Sequence, residues 1–378
     1  MPCQIQSHHM LNHRLAITNA FCVLILVSVL LAGQGATPAR AVGTTLFVVP
    51  TKDAHECTSW ADACDLQYAL GKAASGDSVW VAQGTYQPTP GTDRAVSFQL
   101  ETGVQIYGGF VGTETLLGQR NPTTHVTTLS GDIGTVGDSS DNSYHVVYAS
   151  GVTSAGVLDG FTITGGHGTG GSYSLGAGAG MLTVSSSPTL QNLIVSGNYS
   201  TGTGGGMFNN GGAPSLTNVT FLDNEAANQG GGMYNAAGGH PVLTNASFQG
   251  NSALAGGGLY TSADLTIEHS EFDGNEAGAG GGGGIFNLGG AVTLTDVALD
   301  DNTSEGSGGA IESETGATTT RTSPFGKSQT PQIRGLRQPA LRTHGVQNMP
   351  WLPGSCGNET TVNSDCGLTV ATTLRIAR

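Results

Sequence analysis

Between residues 79 and 311 the apolar positions fall in stretches of two to five residues, separated by Gly, Asn, Ser and Asp. No long window repeats its apolar positions every 3.6 residues, so the stretches predict short strands. Their order recurs. A glycine-rich tetrapeptide closes on an apolar residue at Met181, Met207, Met233, Leu259, Ile285 and Ile311, in steps of 26 residues. A second landmark starts at Leu190, Leu216, Leu243, Ile267 and Leu294 and closes on Asn198, Asn224, Asn251, Asn275 and Asn302. A unit this small cannot bury its own apolar side and must stack on its neighbours. Three short strands and three corners in 26 residues predict one coil of a parallel β-helix. Each coil then lies ~4.8 Å from the next. The expected fold class is all-β, a single-stranded parallel β-helix of 26-residue coils.

Stacking places equivalent residues above one another. The apolar ends of the glycine tetrapeptides form one inward column. Leu190 and its equivalents form a second, and Val195, Phe221, Phe248, Phe272 and Leu299 a third. The closing asparagines predict a ladder in which each amide bonds to the next. Asn192, Asn218 and Asn245 predict another, continued imperfectly by His269 and Asp296. The glycine triplets supply positive φ and close backbone approach at a corner. Looser rungs precede these, at residues 79–81, 96–99, 104–110, 144–148 and 158–164. Residues 63–75 are the one good helical stretch, expected to cap the first coil and shield its open edge. The expected organisation is a signal peptide over 1–41, a cap over 42–78, a β-helix over 79–311 that is regular from 178, and an irregular tail over 312–378.

Composition and charge narrow the role. Sixty-one glycines in 378 residues argue against a helical bundle, since each costs a helix interior ~1 kcal/mol. A net charge of -14 and a pI near 4.9 argue against a nucleic-acid partner. No Lys or Arg stands between residues 121 and 320, against 17 Asp and Glu. The run from Ala20 to Ala32, followed by Ala39-Arg40-Ala41, reads as a secretory signal cleaved after Ala41. No retained membrane span is expected, and export to the cell surface or medium permits disulfides. Cys57 and Cys64 are expected to pair; Cys356 and Cys366 form a second close pair. Neither spacing suits a zinc site.

The pairing of Gly308-Gly-Ala-Ile311 with Phe221–Asn224, Phe248–Asn251 and Phe272–Asn275 resembles the chlamydial polymorphic outer-membrane protein repeat. The segment from Cys57 to Cys64, through Gly76-Asp-Ser-Val-Trp-Val-Ala-Gln-Gly-Thr-Tyr86, to Leu158-Asp-Gly-Phe-Thr-Ile163 is similar to secreted bacterial proteins of the pectin-lyase-like superfamily. The resemblance implies a right-handed coil, secretion or surface display, and adhesion to cell-surface proteins or glycans. The superfamily includes lyases and glycosidases. Lyase chemistry needs a base and cations for the charge that develops, and the gap in Lys and Arg argues against it. Glycoside hydrolysis needs two facing carboxylates. Asp300-Asp301 and Gly166-His167-Gly168 carry a superficial likeness to such motifs, in reversed order. His125, His145, His167, His240 and His269 are scattered and expected at surfaces or corners. No cofactor is expected. Asp273 and Asp300 occupy equivalent places on adjacent coils, and with Asp301 they are the weak calcium candidates. The expected role is non-catalytic adhesion or surface interaction, with a polysaccharide-degrading enzyme and a passive envelope scaffold as alternatives. After Ile311 the strand pattern gives way to a Pro- and Arg-bearing tail, read either as a genuine flexible tail or as a lost reading frame.

Overall fold

The computed structural model describes residues 43–50, 56–170, 173–314 and 316–322, with the backbone alone at 173 and 174. The expected signal segment 1–41, the pair Cys356 and Cys366, and the tail beyond 322 lie outside the described residues.

The chain winds through three parallel sheets, and every pairing between named strands is parallel. The longest path of rungs starts at Thr45–Val48 and Ser78–Ala82, passes Thr189–Ser196 and Ser215–Leu222, and ends at Thr318–Arg321. An eight-stranded sheet runs from Phe98–Leu100 to Ile311–Ser313. A six-stranded sheet runs from His167–Gly168 to Thr303–Ser304. This is the parallel β-helix that the repeat predicts.

The columns stack in the expected register. Met181 pairs with Met207, Met207 with Met233, Met233 with Leu259, Leu259 with Ile285, and Ile285 with Ile311. Leu190, Leu216, Leu243, Ile267 and Leu294 form the second column. In the third, Phe221, Phe248 and Phe272 are fully buried and their rings stack face to face, 4.7 and 4.4 Å between centroids. All three columns belong to one continuous core.

The glycine triplets divide their work. Gly230 and Gly256, first in their triplets, have φ of 67° and 64°. The third residue is constrained by contact: a Cβ on Gly232 would lie 2.6 Å from the Gly258 carbonyl oxygen of the next coil. Any side chain there would push the coils apart.

Asp65 caps the helix Leu66–Lys72 by accepting from the Gln67 and Tyr68 amides. Leu66 and Ala69 enter the same core as the coils. A Cys57–Cys64 disulfide, Cα atoms 5.0 Å apart, ties the segment before the helix. Two boundaries differ from expectation. Thr45–Val48, inside the expected cap, is already a rung paired to Ser78–Val81. At the other end the coil continues past 311, because Thr318–Arg321 pairs with Ala291–Leu294. The four residues Thr318–Arg321 are all polar, so no apolar pattern marked them, and they end the sheet as its edge strand.

Candidate functional site: a bend groove along the longest sheet

Each regular coil bends once within the longest sheet. The bend residues are Asn192, Asn218, Asn245, His269 and Asp296, with φ between 50° and 56°. Asn and Asp tolerate this left-handed conformation better than most residues. The bend turns the exposed side chain outward while the next residue, such as Leu193 or Val219, points into the core. The result is a file of polar side chains along the axis. Asn245 Nδ2 donates to Asn218 Oδ1 at 3.2 Å, Asn218 to Asn192 at 3.0 Å, and Asn192 to Asp159 Oδ1 at 2.7 Å. The chain ends on a largely buried ion pair, Arg120 Nη2 to Asp159 Oδ2 at 2.6 Å. A hydrogen-bond chain anchored on a charge polarises each member in turn. At the other end His269 Nδ1 lies 3.1 Å from Asp296 Oδ2, both exposed.

Beside this file a shallow open groove is lined by Asn245, Ser247, His269, Ser270, Glu271 and Asp296. Ser247 Oγ donates to Glu271 Oε1 at 2.8 Å, and Gln249 Nε2 at 3.0 Å. The groove presents carboxylates, hydroxyls, an amide and an imidazole, a set suited to hydrogen-bonding polyhydroxylated ligands.

The predicted asparagine ladder lies inside the molecule. Asn198 donates to Asn224 at 2.9 Å, Asn224 to Asn251 at 3.0 Å, Asn251 to Asn275 at 2.9 Å, and Asn275 to Asn302 at 2.8 Å. Each amide also reaches a backbone carbonyl one coil back, as Asn251 does to Phe221 at 2.9 Å. A further buried ladder, Thr183, Asn209, Asn235 and Thr261, is linked at 2.8, 2.9 and 3.0 Å and was missed by sequence reasoning. Its signal is the residue two places after each column residue, where Thr interrupts the Asn pattern. These ladders hold coils in register and contact no groove.

The calcium candidates separate in role. Asp273 and Asp300 are register partners as expected, and Asp301 sits at an exposed corner with φ of 50°. Among the described residues no three His, Cys, Asp or Glu side chains gather closely enough to hold a metal ion. His167 and Asp300 lie on different sheets. His167 heads the six-stranded sheet and Thr303, next to Asp301 and Asn302, ends it five rungs later. Five rungs span ~24 Å, too far for the two motifs to flank one bond. His145, expected at a surface or corner, is buried, with Nδ1 3.0 Å from the Gly178 carbonyl. Its neighbours Val146 and Val147 enter the core and draw the ring beneath the corner at 177–179.

The described cations are engaged. Lys72 pairs with Glu56 at 2.6 Å. Arg94 lies over the Tyr144 ring and donates to the Asn142 and His167 carbonyls. Arg120 is held by Asp159 and lies over the Tyr107 ring. Arg321 donates to the Val297 carbonyl at 2.5 Å. Burial lowers its pKa from the usual guanidinium value, against the nearby Asp300 charge. Among the described cations only Arg321 reaches the groove lining, through the Val297 carbonyl, and there its guanidinium is held in place.

No helix among the described residues is long and apolar enough to cross a membrane. No family model and no curated relative matches the chain. Among solved structures it is similar to the crystal structure of pectate lyase Pel9A, at 13% identity and a TM-score of 0.43, covering 76% of this chain and 78% of that one.

Proposed function

We propose that this chain is an exported, non-catalytic β-helix that binds glycans or glycan-bearing cell-surface proteins along the bend groove. One observation carries the reading: the coils from 121 to 320 present carboxylates, hydroxyls and amides in files along the axis, with no Lys or Arg to serve as base or to hold an oxyanion. Adjacent sugars along a chain meet polar side chains on successive coils, Asn245, His269 and Asp296 in turn, so weak contacts add. The chain is exported through its amino-terminal signal and acts at the cell surface or outside the cell.

A glycan array and a cell-binding assay with the purified chain test this. Binding is expected to fall when Glu271→Ala and His269→Ala are introduced together. Release of reducing ends or unsaturated products from polysaccharides would assign the groove to a lyase or glycosidase instead. Absence of binding to any glycan or cell would leave a scaffold.

A further inference from the structure

The outer surface of the longest sheet, before the bend, carries two files of side chains in unbroken register. One file is Thr189, Ser215, Val242, Thr266, Thr293 and Thr320. The other, two residues on, is Gln191, Thr217, Thr244, Glu268, Thr295 and Thr322. Eight of these twelve positions are Thr, and Val242 has the same branched shape. Strand propensity favours Thr at any outward position, so it does not explain why the run stops at the bend. The equivalent file beyond the bend reads Ile194, Thr220, Ser247, Glu271 and Ala298. The outward file of the eight-stranded sheet is aromatic: Phe208, Tyr234, Tyr260 and Phe286.

The files form a lattice. Rungs repeat at ~4.8 Å and the two files stand ~6.6 Å apart along the strand. The β-branch restricts each χ1, so methyl and hydroxyl take few positions. Thr295 and Thr322 hydroxyls touch at 3.1 Å, showing the file closed on itself at the last rung. Over these six rungs the two files hold one carboxylate, Glu268, and no cation; one rung earlier Asp159, paired to Arg120, stands in register with Gln191. It therefore fits an uncharged partner that offers hydroxyl-type hydrogen bonds on a repeating lattice. A flexible sugar chain is a poorer fit, because it loses conformational freedom when it is held in register along the files.

We propose that this face binds the surface of ice. Its hydroxyls hydrogen-bond lattice water, and its methyl groups gain by displacing disordered water from between two rigid surfaces. The assignment goes beyond glycan binding and uses a different face from the groove.

Ice-affinity partitioning of the purified full chain, with ice-recrystallisation microscopy, tests it. The chain is expected to concentrate in slowly grown ice and to arrest recrystallisation. Thr244→Lys and Thr293→Lys are each expected to abolish both effects, and Ala227→Lys, on the six-stranded sheet, to retain them. Circular dichroism melts identify any variant that loses its fold, in which case Thr293→Gln replaces it with the same expected loss. Exclusion of the wild-type chain from ice overturns the proposal, as does wild-type partitioning by folded Thr244→Lys. Thr-dependent retention on crystalline cellulose without ice binding also overturns it, and moves the face to a neutral polysaccharide. Glu271→Ala with His269→Ala is expected to lower glycan binding and leave ice binding intact, so the two readings fail separately.

Discussion

Asn251 shows how much one side chain does in a stacked fold. It donates to the Phe221 carbonyl and to Asn275 and accepts from the Asn224 amide nitrogen and backbone N–H. Asn251→Ala orphans all of these in a dry interior, at ~1–3 kcal/mol per stranded group. A loss of at least ~3 kcal/mol is expected in denaturant unfolding. Asn245→Ala, on the exposed file, should lose little from its hydrogen bonds, because water replaces its partners, and cost ~1–2 kcal/mol for placing Ala at a φ of 53°. Glu114 supplies a pH test. Burial pushes its carboxyl up, but the amides of Val111, Thr113 and Gly112, at 2.6, 2.9 and 2.9 Å, outweigh it and hold the pKa below the usual range. A depressed folded pKa means that this stabilisation is complete above the ordinary carboxylate value, ~4.3, and is lost as pH falls through the folded value. Melting curves of Glu114→Gln should lie below wild type at pH 7, and the gap should close on acidification. The Asn198 ladder was legible because Asn recurs at every coil. The Thr183–Asn235 ladder was not, because a mixed Thr and Asn column looks like ordinary polar composition.

Within the elements, steric and packing costs are separable. Gly232→Ala forces a Cβ into the Gly258 carbonyl, an overpacking cost of ~1–3 kcal/mol. Phe248→Ala opens a hole between two stacked rings, at ~3–5 kcal/mol. Gly71, in the helix Leu66–Lys72, has no atom within 4 Å of a built Cβ. Gly71→Ala should therefore stabilise, by ~0.5–1 kcal/mol. Thermal or chemical unfolding orders the three variants, and a stabilising Gly232→Ala would refute the close approach of coils. The capping helix was legible from its composition, and so were most rungs from 79 onward, but the pair Gly84–Tyr86 and Thr127–Ser130 was not. The first rung, Thr45–Val48, was hidden because it is separated from the second by the helix. Outer-file features, such as the stacked Tyr234 and Tyr260, were also missed. Burial, then Tyr234 and Glu314 nearby, pushes the Tyr260 hydroxyl up to about 12, an environment that depends on three coils at once.

At the scale of the whole molecule the charge is the dominant long-range force. The chain carries -14, and the coils from 121 to 320 contain no Lys or Arg, so carboxylates such as Asp273 and Asp300 stack on adjacent rungs with only Arg321, from the next coil, near Asp300. Raising salt from ~10 to ~150 mM shortens the Debye length from ~30 to ~8 Å and should raise the melting temperature. Calcium and magnesium at matched ionic strength should act alike; a calcium-specific rise would restore Asp273, Asp300 and Asp301 as ligands. The groove was only partly legible. His269 and Asp296 followed from the spacing of the bend residues, but the contact between Ser247 and Glu271 depends on a coil-to-coil register that varies at this corner. Sequence alone determined the number of regular coils, their inward columns and the internal ladder, because in-register stacking repeats each contact at every coil and leaves a periodic trace. Tertiary structure alone decided which outward files stand side by side, where the groove lies, that His145 is buried, and that the coil runs to Arg321. Those outcomes turn on single left-handed corners and on neighbours contributed by separate coils, which leave no period in the chain.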